Sequence, residues 1–209
     1  LLGKVISHNV ISLVLPTGSG VPREFIETHR SDQHFVMINA PFTLSVAFLP
    51  FERAYKDFEL PQSVRVLVPA LRPIEVKRTD ERTLFIRSKS GEIFSCGELG
   101  LMHPAYLFKN FSDLFMAHNQ KFRQSDIVSL PDVTVKIVNV DQDARPTELS
   151  FTFALPLEDK TFCFYWFNWN WFRYERFEVP RVGQAVELPG PSYVRLSAAM
   201  KFFKQQLIK

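Results

Sequence analysis

The side chains of this chain most able to do chemistry near neutral pH are His8, His29, His34, His103, His118, Cys96 and Cys163. No HxxxH or HExxH spacing occurs among the histidines. His29 and His34 are separated by a step that neither a helix nor a strand places on one face, so no metal site is expected and no cofactor is implied. Cys96 and Cys163 are flanked by Phe or Ser in strand-like runs, whereas a reactive thiolate needs an exposed electropositive setting. They read as buried thiols, with a single bridge between them left open. The segment Thr17-Gly18-Ser19-Gly20 lacks the spacing of a phosphate loop or a nucleophile elbow and reads as a connector. Glu158-Asp159 and Asp141/Asp143 bring carboxylates together as a glycosidase or a calcium loop would, but both lie at expected chain reversals, where Asp is a turn residue. No catalytic residue is assigned.

The strongest local anomaly is aromatic. From Phe162 to Phe172 every residue except Cys163, Asn168 and Asn170 carries a ring. Strand alternation cannot bury both faces of such a hairpin in one thin core. Either a further layer covers it, for instance the C-terminal helix or the 97–125 connection, or some rings stay exposed and meet a ligand, lipid headgroups or a partner. The candidate ligand-binding residues are Tyr165, Trp166, Trp169 and Trp171, and Trp169, at the expected tip, should be the exposed one.

Composition narrows the class of protein. The 209 residues are 46% hydrophobic, and 21 Phe, 5 Tyr and 3 Trp are far more aromatic mass than a disordered chain carries. A net charge of +3 without any Lys/Arg-rich run argues against a nucleic-acid partner. Residues 5–22 and 33–51 are uncharged. The apolar core of the first, Val10–Leu15, is too short to span a bilayer, and Pro41 interrupts the second. The chain opens on Leu1-Leu2 rather than Met, which suits a processed product or a piece of a longer chain.

The elements that must position these residues are mostly strands. There are 14 prolines and 8 glycines, and the prolines punctuate short apolar runs. Expected strands in the first half are Val10–Leu15, Phe35–Ile38 and a meander of Val64–Val68, Ile74–Arg78, Thr83–Arg87 and Glu92–Cys96. Asn39 and Pro41 suit the start of a helix that bends near Pro50, passes Glu52 to Ala54 and ends before Asp57 and Pro61. A second set follows at Val133–Val140, Glu148–Ala154, Phe162–Phe167, Phe172–Phe177 and Ala185–Leu188, with Asn168 and Asn170 supplying a left-handed backbone at the aromatic reversal. Ser129-Leu130-Pro131 and Glu187-Leu188-Pro189 are similar strand ends. From Ser192, Leu196, Ala199, Met200, Phe203 and Leu207 recur at helical spacing with basic residues mostly off that stripe.

The expected fold is thus mainly β with few helices. It has two small antiparallel modules, a sandwich or a partly open barrel, sharing one core, and an amphipathic C-terminal helix. The expected divisions are 1–15, 16–100 for the first module, 101–125 for a connection, 126–190 for the second module and 191–209 for the helix.

Several phrases carry a resemblance. They are Asn39-Ala40-Pro41 with Leu49-Pro50, Leu60-Pro61 before Val64-Arg65-Val66-Leu67, and Arg78-Thr79-Asp80 before Thr83-Leu84. With them go Arg145-Pro146-Thr147-Glu148, Pro156-Leu157-Glu158-Asp159, and Val182-Gly183 with Val186-Glu187-Leu188-Pro189. Over about residues 35–190 the chain resembles the soluble C-terminal portion of a group of bacterial multi-pass membrane proteins of unknown function. It departs from them at Asn168-Trp169-Asn170, where a shorter polar turn is expected, and in its aromatic load. The resemblance implies that residues 1–15 are the exit of a removed membrane region and that the domain is membrane-associated. It brings no activity. The expected role is non-catalytic recognition, assembly or regulation with a protein partner. The alternative is a sugar- or apolar-ligand module that uses the aromatic hairpin as a stacking platform.

Overall fold

The computed structural model describes residues 31–41, 46, 50, 53–54, 57–94, 121–171 and 173–191. The expected strand Val10–Leu15, the Thr17–Gly20 connector, Cys96, the C-terminal helix, and His8, His29, His103 and His118 lie outside them.

Among the described residues, ten strands form two facing sheets. The smaller sheet has the order β2(Ser63–Pro69), β1(His34–Ala40), β8(Phe162–Asn168), β9(Arg173–Arg176). The larger has the order β10(Ala185–Leu188), β3(Ile74–Arg78), β4(Thr83–Ser88), β7(Pro146–Phe153), β6(Val133–Val140), β5(Ile127–Ser129). The larger sheet is antiparallel throughout. In the smaller one β1 runs parallel to both β2 and β8, and only β8 and β9 are antiparallel.

Two expectations are corrected here. The strands do not segregate into an N-terminal and a C-terminal antiparallel module, since each sheet draws on both halves of the chain. Nor do residues 63–96 form a meander: β2 enters the smaller sheet, β3 and β4 the larger, and Glu92–Phe94 are not a strand. The reason lies in β1 and β8. Every residue of HFVMINA is buried, and in FCFYWFN only Trp166 is partly exposed, so neither strand has a polar face. Such strands need cover on both sides, which places them side by side in the middle of a layer.

One core lies between the sheets, with Val36, Ile38, Phe162 and Phe164 of the smaller sheet meeting Leu84, Ile86, Leu149 and Phe151 of the larger. A second core covers the opposite face of the smaller sheet with Phe35, Met37, Tyr165, Phe167, Trp169, Tyr174 and Val46. Val46, Pro50, Arg53 and Ala54, in the crossover from β1 to β2, are helical. The helix closes on Asp57, whose φ of 58° puts it in the left-handed region. Phe58 N–H then reaches Arg53 O and Asp57 N–H reaches Ala54 O, the paired bonds of a Schellman stop. Arg53 itself is buried on the second-core side, its guanidinium over the Phe35 ring and its Nε–H donated to Glu59 O at 2.7 Å. Among the described residues no helix is long and apolar enough to cross a membrane.

Candidate functional site

The best organised polar cluster sits where the two sheets meet. His34 opens β1, Ser63 opens β2, Arg65 follows on the same face of that strand, and Asp132 precedes β6. The Ser63 hydroxyl donates to Asp132 Oδ2 at 2.8 Å and lies 2.8 Å from His34 Nδ1. Arg65 donates from Nε and Nη2 to Asp132 Oδ1 at 3.1 and 2.9 Å. A hydroxyl has one proton. Since that of Ser63 goes to Asp132, the ring proton of His34 must sit on Nδ1.

This connectivity decides the chemistry. In a nucleophilic triad the histidine stands between serine and carboxylate and takes the serine proton. Here the serine stands in the middle. Burial alone would raise the Asp132 carboxyl pKa, but hydrogen bonds from Arg65 and Ser63 and the Arg65 charge outweigh it and hold the group below its ordinary range. A carboxylate so stabilised is a poor base for the serine proton. The cluster therefore acts as a clasp that ties β1 and β2 to the start of β6.

The carboxylate pairs have turn and ion-pair roles. Glu158 pairs with the buried Arg78 of β3, and Asp159 Oδ1 accepts from Thr161 N–H at 2.9 Å and Thr161 Oγ1 at 2.6 Å. The hydrogen bonds from Arg78 and from Thr161 draw the pKa of Glu158 and Asp159 below the ordinary carboxylate range. Asp141 Oδ1 accepts the N–H groups of Asp143 and Arg145, both at 2.9 Å. Among the described residues no group of three His, Cys, Asp or Glu side chains is placed to hold a metal ion. Cys163 is buried in the second core.

The four aromatic candidates diverge. Tyr165 is 2% exposed and faces the second core, while Trp166 is half-buried against the core between the sheets. Trp169, expected to be exposed, is 2% exposed instead. Its indole N–H donates to Ala70 O at 2.9 Å and its ring meets Phe167 edge-on at 5.1 Å, so the chain after β8 folds inward over the second core before it turns. Trp171 is the exposed ring, at 70%. The reversal also works differently from the expectation. Neither Asn168 nor Asn170 has a positive φ; Asn168 Oδ1 accepts the Asn170 N–H at 2.9 Å, an Asx turn, and Asn168 Nδ2 donates to Glu175 at 2.8 Å.

A separate apolar feature marks the far side of the larger sheet. Val128 pairs with Val135, which packs on the core between the sheets, so Val128 points inward by register, and alternation points Leu130 the same way. They are nevertheless 52% and 42% exposed, and Ile127 on the other face is 61% exposed. Sequence reasoning missed this patch and the clasp alike. Ile127-Val128-Ser129 is too short a run to stand out, and Ser63, Arg65 and Asp132 carry no motif. Only the alternate spacing of Ser63 and Arg65 hinted at a shared face.

No family model, curated protein or solved structure matches the chain.

Proposed function

We propose that the chain is a non-catalytic recognition or assembly domain of a membrane-anchored bacterial protein. The observation that supports this reading is the uncovered inner end of the larger sheet, where Val128 and Leu130 face the core side and yet meet solvent. Apolar surface left in water costs roughly 25 cal/mol per Å², and its burial on contact drives association. A contiguous patch at a sheet margin, rather than scattered single residues, suits a docking surface. The clasp of His34, Ser63, Asp132 and Arg65 supports the same reading, because its hydrogen bonds are spent joining the sheets.

A photo-crosslinking residue at Leu130, compared with one at the exposed turn residue Arg82, tests the proposal in cells that make the parent protein. A discrete product from position 130 is expected, lost when Val128→Lys is added and absent at position 82. Identical products from both positions, or turnover of a small metabolite abolished by Ser63→Ala, would overturn it. The membrane context is tested in the gene upstream of Leu1, where several apolar spans of about 20 residues each are expected.

A second reading, a sugar- or apolar-ligand module, is favoured by Trp171 alone, whose ring is 70% exposed beside Arg173. In a glycan and vesicle screen it requires binding that Trp171→Ala removes.

A further inference from the structure

The two outer strands of the larger sheet are built alike. Residues 123–131 read RQSDIVSLP and residues 181–189 read RVGQAVELP, with Arg, Val, Leu and Pro in common places. Such a match would be weak alone, but the backbone follows it bond for bond. Ser125 N–H donates to Ile137 O at 2.8 Å, Ile137 N–H to Asp126 O at 2.9 Å and Asp126 N–H to Arg123 O at 3.1 Å. At the other margin Gly183 N–H donates to Arg78 O at 2.8 Å, Arg78 N–H to Gln184 O at 3.0 Å and Gln184 N–H to Arg181 O at 2.9 Å. Ser125 and Gly183 both hold a left-handed φ, 72° and 84°. Each is the first residue of a G1 bulge that leads into a short edge strand.

The register extends the likeness across the whole sheet. Ala185↔Lys77 and Val186↔Val76 correspond to Ile127↔Lys136 and Val128↔Val135. Arg78↔Leu84 corresponds to Ile137↔Leu149. At the centre Leu84↔Phe151 exchanges with Ile86↔Leu149, and Phe85↔Ser150 maps onto itself. A two-fold axis therefore passes through the Phe85/Ser150 pair and relates β10-β3-β4 to β5-β6-β7. The two units differ in two places: the β6–β7 hairpin is six residues longer than the β3–β4 hairpin, with register shifts beyond Ile137, and the links to the edge strands differ. β5 runs into β6 through Pro131-Asp132, whereas the chain after β10 and the chain before β3 are separate segments. They still meet, since a Cβ on Gly190 would lie 2.7 Å from Pro73 N, and Gly190 and Pro73 both correspond to Asp132.

We propose that the larger sheet is two copies of one three-stranded unit, and that β10 is the exchanged counterpart of β5. On this reading the outer edge of β3 is a strand-accepting groove. Its ligand class is an extended segment of pattern R-x-[GS]-x-x-V-x-L-P that enters through a left-handed bulge, directs Val and Leu inward and stops on a proline lacking an N–H. The chain fills the groove with its own residues 181–189. The inference stands apart from the docking role proposed for Val128 and Leu130.

The test is made in the full chain. In one variant residues 181–189 are replaced by RQSDIVSLP, and in another by a scramble of RVGQAVELP that breaks the V-x-L spacing. The exchanged chain is expected to keep its Tm within about 4 °C of the parent and to keep the Arg78 amide protected from hydrogen exchange, whereas the scramble loses that protection. An exchanged chain that falls as far as the scramble, unfolding included, overturns the proposal, as does a scramble that keeps the protection. The unaltered chain gives a second check. Its Arg78 and Ile137 amides should be protected together, and free exchange at Arg78 beside protection at Ile137 refutes the equivalence of the two margins.

Discussion

Replacing Ala144 by glycine is expected to stabilise the protein, against the usual direction of such a change. Ala144 closes the turn between β6 and β7 with a φ of 61°, its N–H bonded to Asp141 O while the Asp141 N–H bonds to Arg145 O. This is a third G1 bulge, with Ala in the place filled by Gly183 at one margin of the sheet and by Ser125 at the other. A Cβ in the left-handed region costs roughly 1–2 kcal/mol. Glycine removes that strain and returns about 0.4–1 kcal/mol through its freer unfolded chain. The net gain for Ala144→Gly is therefore about 0.5–1 kcal/mol, a rise in Tm of roughly 1–4 °C in a chain of this size. Ser125→Gly should behave alike. Gly183→Ala should lose a comparable amount through φ alone, because a Cβ at that position meets nothing within 4 Å. Urea and thermal unfolding followed by far-UV circular dichroism would read all three. A loss of stability in Ala144→Gly, or no change in Gly183→Ala, would mean that these reversals are not left-handed bulges and would undo the equivalence argued for the sheet margins.

Three further outcomes follow from the geometry. Trp169→Phe should cost about 1–3 kcal/mol by leaving Ala70 O without its donor, while Trp171→Ala should stay within about 0.5 kcal/mol; paired denaturation curves would show the contrast, and equal losses would contradict the burial assignment. Asp132 has a depressed carboxyl pKa in the folded state, so its contribution is complete above the unfolded value of about 3.9 and is lost as pH falls through the folded value. Asp132→Asn should thus flatten the acid limb of stability measured below about pH 5, and an unchanged limb would show that the clasp carries none of it. Gly190→Ala should destabilise, since its Cβ would lie within 2.8 Å of the Arg72–Pro73 backbone; an unaffected Tm would mean that the two segments do not touch there.

What the sequence revealed follows the range of the forces involved. The ends of β6 and β10 were legible to the residue, and the helix stop at Asp57 was legible too, because turn chemistry and alternation act over a few neighbours. β1 and β8 were legible as strands, but their apolar faces say nothing about which strands lie beside them. Of the strand β5 only the end, at Ser129-Leu130-Pro131, was legible, because its three exposed residues carry no pattern of their own. The exposure of Trp171 rather than Trp169 depended on which way the chain leaves β8, and that is decided by the Asx turn at Asn168 and the Ala70 carbonyl far away in the chain.

The same contrast separates the two sheets. Most antiparallel pairs in the larger sheet, such as β3 with β4 and β6 with β7, are joined by short reversals whose residues announce them. Two of the smaller sheet's three ladders, β1 with β2 and β1 with β8, are parallel, and a parallel pair needs a long crossover, so these partners are distant in sequence. His34 meets Ser63 across 29 positions, and Asn39 accepts the Phe167 N–H across 128. The clasp inherits that distance, since its members come from β1, β2 and the start of β6 and become neighbours only once both sheets are in register. A polar cluster assembled in this way has no local spacing to betray it. Its serine, histidine and carboxylate must be judged by which atom holds which proton, and that order makes them a joint between layers.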